Sequence, residues 1–111
     1  MNEAAAYIKG QMTAAGFEAP RETFVERGSR VPNLEYTIPG TSRAGEIIVV
    51  GAHYYSYQGT PGADDNASGV AACIALGKSL RATPQPRTIR IVFFVNEEPP
   101  AFWTRDMGSW V

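Results

Sequence analysis

Residues 46–53 read Glu46-Ile47-Ile48-Val49-Val50-Gly51-Ala52-His53, and the fold turns on how this run is read. Its apolar residues do not alternate with polar ones, the pattern of a strand covered on both faces. A central strand is therefore predicted over residues 46–52. A second such run, Thr88-Ile89-Arg90-Ile91-Val92-Phe93-Phe94-Val95, follows later and predicts a second central strand. Between the two, Val70, Cys73, Ile74, Gly77 and Leu80 recur at helical spacing, while Ala67, Ala71, Ala72 and Ala75 keep the remaining surface slim. Asp65 or Asn66 stands where a helix cap is expected. The helix should end near Arg81, before Pro84-Gln85-Pro86 breaks the chain.

Strand, helix and strand in this order form a parallel crossover unit, which brings the C-terminal ends of both strands to one sheet edge. Open α/β sheets bind ligands at that edge. The residues that follow the strands there are chemically rich: His53, then Asp64 and Asp65 ahead of the helix, then Glu97 and Glu98. The intervening residues 53–64 contain Gly59, Pro61 and Gly62 without periodicity and are predicted to be a loop.

Upstream, Ala4, Ile8, Met12 and Ala15 repeat at helical spacing behind Asn2, and Gly16 stands where a helix terminator belongs. A helix over residues 3–15 is predicted. Phe17 to Glu26 and Val31 to Ile38 alternate loosely around Arg27-Gly28-Ser29 and read as a pair of strands joined by a turn. With 111 residues and 44% hydrophobic content, one domain spanning 1–111 is expected.

The net charge of −1 leaves no basic footprint for nucleic acid. No apolar run reaches the roughly 20 residues needed to cross a bilayer. Neither partner is expected. Met1-Asn2-Glu3 leads straight into the first helical pattern without the features of a secretory signal, so the location is open between the cytosol and a chain with an upstream segment. Cys73 is the single cysteine, which precludes an internal disulfide, and its apolar helical setting reads as a buried structural thiol.

Four carboxylates near one helix start repel each other, and a divalent metal compensates that repulsion. Zinc accepts histidine nitrogen and carboxylate oxygen, and a glutamate beside a ligating one can take a proton from water. A histidine at a strand end is by itself commonly structural, and adjacent acidic pairs are commonly caps or turns. Their order at matching ends of one crossover unit is what favours a metal site. A glycoside hydrolase would use two carboxylates as well, but its chemistry needs neither the histidine nor the capping aspartate. Tyr54, Tyr55 and Tyr57 read as loop aromatics over the sheet edge.

His53, the segment Gly62-Ala63-Asp64-Asp65-Asn66-Ala67-Ser68-Gly69 and the pair Glu97-Glu98 together resemble the zinc-dependent exopeptidases of peptidase family M28. The resemblance covers nearly the whole chain and is most specific from Pro61 to Gly69. It implies a three-layer α/β/α sandwich with a mostly parallel mixed sheet, of which this chain is a truncated N-terminal portion. It implies two zinc ions, with His53 binding one, Asp65 bridging both, Glu98 binding the other and Glu97 as general base. Asp64 is not expected to be a ligand. The implied function is aminopeptidase-like hydrolysis of N-terminal peptide bonds, with a peptide as substrate, in a family whose members are often secreted.

Two departures from the family pattern bear on activity. Tyr55 stands where the family has an aspartate that orients the zinc-binding histidine, and a phenol cannot supply that charge. The family also draws a further aspartate and histidine from later in its domain, whereas this chain has a single histidine. Impaired or absent activity is therefore expected. The alternative is a non-catalytic, peptidase-derived domain that associates with another chain or forms a homo-oligomer. Phe102 and Trp103 read first as core packing and second as pocket walls.

Overall fold

Four strands and two helices make up the computed structural model, which describes residues 2–24, 32–54 and 66–95. The first helix, α1 (Asn2–Ala14), ends as predicted at Gly16, which adopts a left-handed φ of +98° that costs glycine little. Ala5, Ile8 and Met12 are buried, and Ala4 and Ala15 pack at the margin. The chain then enters β1 (Arg21–Thr23), β2 (Asn33–Ile38) and β3 (Arg43–His53), and continues through α2 (Ser68–Arg81) to β4 (Arg87–Phe94).

The strands hydrogen-bond in the order β1-β2-β4-β3. The parallel neighbours expected from the crossover unit are present: β3 and β4 pair from Ile47–Thr88 to His53–Phe94. β2 runs antiparallel to β4 and β1 antiparallel to β2. The sheet is thus mixed, with one parallel ladder and two antiparallel ones among the described residues.

Both helices cover the same face. A Cβ placed on Gly77 of α2 would lie 3.1 Å from Ile91 Cδ1 of β4 and 3.2 Å from Met12 Cε of α1, so the three elements meet at one point. On this face β4 contributes Ile89, Ile91 and Phe93, with Val95 directly after it, β2 contributes Leu34, Tyr36 and Ile38, and α2 contributes Cys73 and Ile74. The alternation of β4 turns Thr88, Arg90, Val92 and Phe94 to the opposite face. No described element covers that face.

Two expectations are corrected. Of the strand predicted over residues 17–26, the described residues 17–24 are in a strand only at the three residues of β1. Phe17 instead turns back from the helix end into the core, against Tyr36 at 5.6 Å between ring centroids. β3 is longer than predicted, and among the described residues it is an edge strand. Ile47, Ile48 and Val49 remain 45%, 43% and 58% exposed. The apolar run signals a strand suited to covering on both faces, but periodicity carries no information on where that strand sits in the sheet.

Tyr36 lies in the core at 3% exposure, and its hydroxyl has no hydrogen-bond partner among the described residues. Burial, with a smaller contribution from the Glu22 charge, pushes the phenol up to about 12. The folded state therefore holds this proton more tightly than the unfolded chain. Its contribution is complete below the ordinary value of 10.0 and is lost as pH rises towards about 12. Tyr36→Phe removes an unpaired buried hydroxyl, so stability at neutral pH should hold or rise by up to about 1 kcal/mol. The decline between these two pH values should become shallower. Urea unfolding across that range checks both, and a loss at neutral pH would show that the hydroxyl is bonded.

Candidate functional site

The parallel β3/β4 ladder closes at His53–Phe94, at the C-terminal ends of both strands. The start of α2 belongs to the same edge. The turn after α2 is tied to the start of β3, where Thr41 N–H donates to Gln85 O at 2.9 Å and Arg43 N–H donates to Pro86 O at 2.8 Å. The helix therefore starts towards the opposite end of β3, the end that carries His53.

Its entry is capped as the sequence predicts. Asn66 Oδ1 accepts the Gly69 backbone N–H at 3.1 Å, satisfying one of the first-turn donors. A side chain at Gly69 would collide with the Asn66 amide, so the small residue and the cap belong together. Asp65 directly precedes this cap in the chain.

His53 is half-buried at the end of β3. Close by, Gly51 accommodates the Phe94 ring: a Cβ on Gly51 would stand 2.5 Å from Phe94 Cε2 and 3.1 Å from Val92 O. Tyr54, the residue after His53, lies just past β3 at the sheet edge, as its reading as a loop aromatic expects. It is buried, donating its phenol to Pro32 O at 2.6 Å and its backbone N–H to Phe94 O at 2.9 Å. Asn33, buried at the start of β2, accepts Val95 N–H on Oδ1 at 3.0 Å.

Of the residues expected to form the site, the structure describes His53 alone. Tyr55, Asp64, Asp65, Glu97, Glu98, Phe102 and Trp103 lie outside the described residues. Among the described residues no group of three histidine, cysteine, aspartate or glutamate side chains is close enough to hold a metal. Fit to zinc therefore rests on the donor chemistry: an imidazole at a strand end, with an aspartate before the helix cap and two glutamates just past β4 in sequence. Cys73 is no competing donor. It is buried against the sheet, and burial raises its thiol pKa, which disfavours the thiolate.

Sequence reasoning passed over Asn33 and assigned Tyr54 to the sheet edge without identifying its partners. A polar residue opening a strand and an aromatic ending one carry no period that reveals a partner many residues away. On the uncovered face, a shallow depression is lined by Glu35, Val49, Arg90, Val92 and Phe94, among others, and His53 does not line it. No described helix is long and apolar enough to cross a membrane.

The family model for peptidase family M28 matches residues 33–103. The uncharacterized protein YfbL of Escherichia coli K12 is 35% identical over 100% of this chain and 36% of its own length. Leupeptin-inactivating enzyme 1 of Streptomyces exfoliatus is 35% identical over 72% of this chain and 18% of its own length. The chain thus spans about a third or less of these relatives. Among solved structures, a zinc aminopeptidase from Bacillus subtilis superposes on 58% of this chain and 16% of its own, with a TM-score of 0.53 and 29% identity. A glutaminyl cyclase from Macrostomum lignano shares the fold over 96% of this chain and 35% of its own, with a TM-score of 0.74 at 21% identity.

Proposed function

The chain belongs to peptidase family M28, and from that membership we propose that it serves a metal-dependent exopeptidase of the aminopeptidase kind. The observation that carries this reading is His53 at the C-terminal end of β3, on the parallel pair it forms with β4, at the sheet edge towards which the Asn66-capped α2 starts. The chain reaches this edge three times, and each time a candidate residue lies within a few positions in sequence.

In this reading His53, Asp65 and Glu98 hold zinc, and Glu97 accepts a proton from the attacking water. Zinc bound there supplies Lewis acidity towards a peptide carbonyl and water. The cap at Asn66 keeps the α2 entry fixed directly after Asp65. Tyr55 takes the place of the family's orienting carboxylate, a loss that typically costs about 10- to 100-fold in metal affinity or activity. Low turnover is therefore part of the proposal.

Metal analysis of the purified chain tests the site. Zinc is expected to co-purify and to fall in Glu98→Ala, and no zinc above background in either protein removes the metal assignment. With an aminoacyl reporter, turnover should be weak and should rise in Tyr55→Asp. Robust turnover that Glu97→Gln abolishes would show that Tyr55 does not impair the enzyme.

A second reading is favoured by β3. Its exposed Ile47, Ile48 and Val49 stand on a strand whose outer edge has no partner among the described residues. Such an edge accepts another strand, so the chain would act by associating with a further polypeptide. Sedimentation would reject this if the chain stayed monomeric and soluble at high concentration.

A further inference from the structure

We infer that Asn33 and Tyr54 are positioning residues that grip the end of β4 from both sides and fix where the segment bearing Glu97 and Glu98 leaves the sheet relative to His53. The inference rests on the functional reading above, since it assigns a purpose to the spacing of those groups.

β4 lies between β2 and β3, so its end is held by two neighbours. On the β2 side the ladder reaches Leu34–Phe93. Beyond that pair a side chain takes over, with Asn33 Oδ1 accepting the N–H of Val95 at 3.0 Å. Both residues are buried, at 4% and 0% exposure, so water does not compete for the bond. The main-chain ladder is poorly placed to continue, because Pro32 has no N–H to donate and its carbonyl is taken by the Tyr54 phenol at 2.6 Å.

On the β3 side, Tyr54 N–H donates to Phe94 O at 2.9 Å, one step past the His53–Phe94 pair. The ring of the same residue then crosses to the β2 side and bonds Pro32. Tyr54 therefore links β3 to the start of β2 across the end of β4, and it is covalently adjacent to His53. A strand end without such bonds frays. Here it is fixed two residues before Glu97, and metal ligands need supporting groups that hold them to within about 0.5 Å.

A purely structural role would lower stability and leave metal affinity of the folded protein alone. The comparison uses Asn33→Ala, Tyr54→Phe and, as a control, Thr88→Val. Thr88 is also buried and bonds Ala44 O at 2.6 Å and Gly40 N–H at 3.0 Å, but at the opposite end of β4. Each 111-residue variant is measured for melting temperature, for zinc affinity by titration, and for amide exchange at Val95 and the next residues.

At comparable losses of melting temperature, Asn33→Ala should weaken zinc binding about tenfold or more, while Thr88→Val stays within about twofold. Exchange at Val95 and beyond should accelerate in Asn33→Ala and Tyr54→Phe, but not in Thr88→Val. Equal changes in all three variants, or none, would overturn the inference. If the parent chain binds no zinc, the metal reading falls, and exchange alone then decides whether Asn33 and Tyr54 hold the strand end. Should Asn33→Ala fail to fold, Tyr54→Phe carries the comparison, since it keeps the ring and its backbone bond.

Discussion

Phe93→Ala is expected to destabilise the protein by about 3–5 kcal/mol, the range for removing a fully buried phenylalanine. Phe93 has 0% exposure and stands on the helix-covered face of β4, between Leu34 of β2 and Ala52 of β3 in the two ladders. Its ring meets Tyr36 edge-on at 6.2 Å and 82°, and Tyr36 meets Phe17 at 5.6 Å and 70°. Truncation would therefore leave a cavity and end a three-ring stack, each contact of which adds about 0.5–1.5 kcal/mol beyond area burial. The neighbours cannot collapse easily, because two ladders fix the backbone on either side. With total stabilities of about 5–15 kcal/mol for small domains, the variant should be largely unfolded or melt on the order of 15 °C lower. Phe94→Ala is the informative partner, since Phe94 is half-buried on the uncovered face. If both variants lost equal stability, the assignment of the core to one face would be wrong.

That one-sided core explains which parts of the fold the sequence reveals. The α2 stripe was readable because helical periodicity reports burial directly: Cys73, Ile74 and Gly77 are buried, and Val70 and Leu80 pack at the margin. The parallel pairing of β3 and β4 was readable because a helix between two apolar runs leaves few other connections. The position of β3 was not, because the same apolar run suits a central strand and an edge awaiting cover. Phe17 was misread for a related reason. An aromatic just past a helix terminator has the composition of a strand start, and only the tertiary contact with Tyr36 assigns it to the core. At the site, the sequence places His53 at a strand end because the apolar run stops there. Asn33 reaching Val95 depends on strand order, which no local pattern encodes.

Gly40→Ala and Gly10→Ala should have effects of opposite sign, although they add the same methyl group. Neither glycine needs a left-handed backbone, so the difference is one of space. A Cβ on Gly40 would fall 2.5 Å from Arg87 C, 2.6 Å from Pro86 O and 2.6 Å from Thr88 N, all main-chain atoms. Those atoms cannot give independently. Arg43 N–H bonds Pro86 O at 2.8 Å, Thr41 N–H bonds Gln85 O at 2.9 Å, and Gly40 N–H bonds Thr88 Oγ1 at 3.0 Å. Relief of the clash must open these bonds at the start of the β3/β4 ladder. The expected cost is about 3 kcal/mol, the upper end for overpacking. Gly10, in contrast, is an exposed position inside α1 with nothing within 4 Å of an added Cβ. Alanine there reduces the entropy lost on folding and should stabilise the protein by about 0.5–1 kcal/mol. Urea midpoints of the two variants measure both shifts, and a neutral Gly40→Ala would mean that the loop after β2 is not packed against the start of β4. Because Gly40 lies at the end of β4 remote from His53, its substitution should lower stability without changing the zinc affinity of the folded protein, which separates it from a substitution at Asn33.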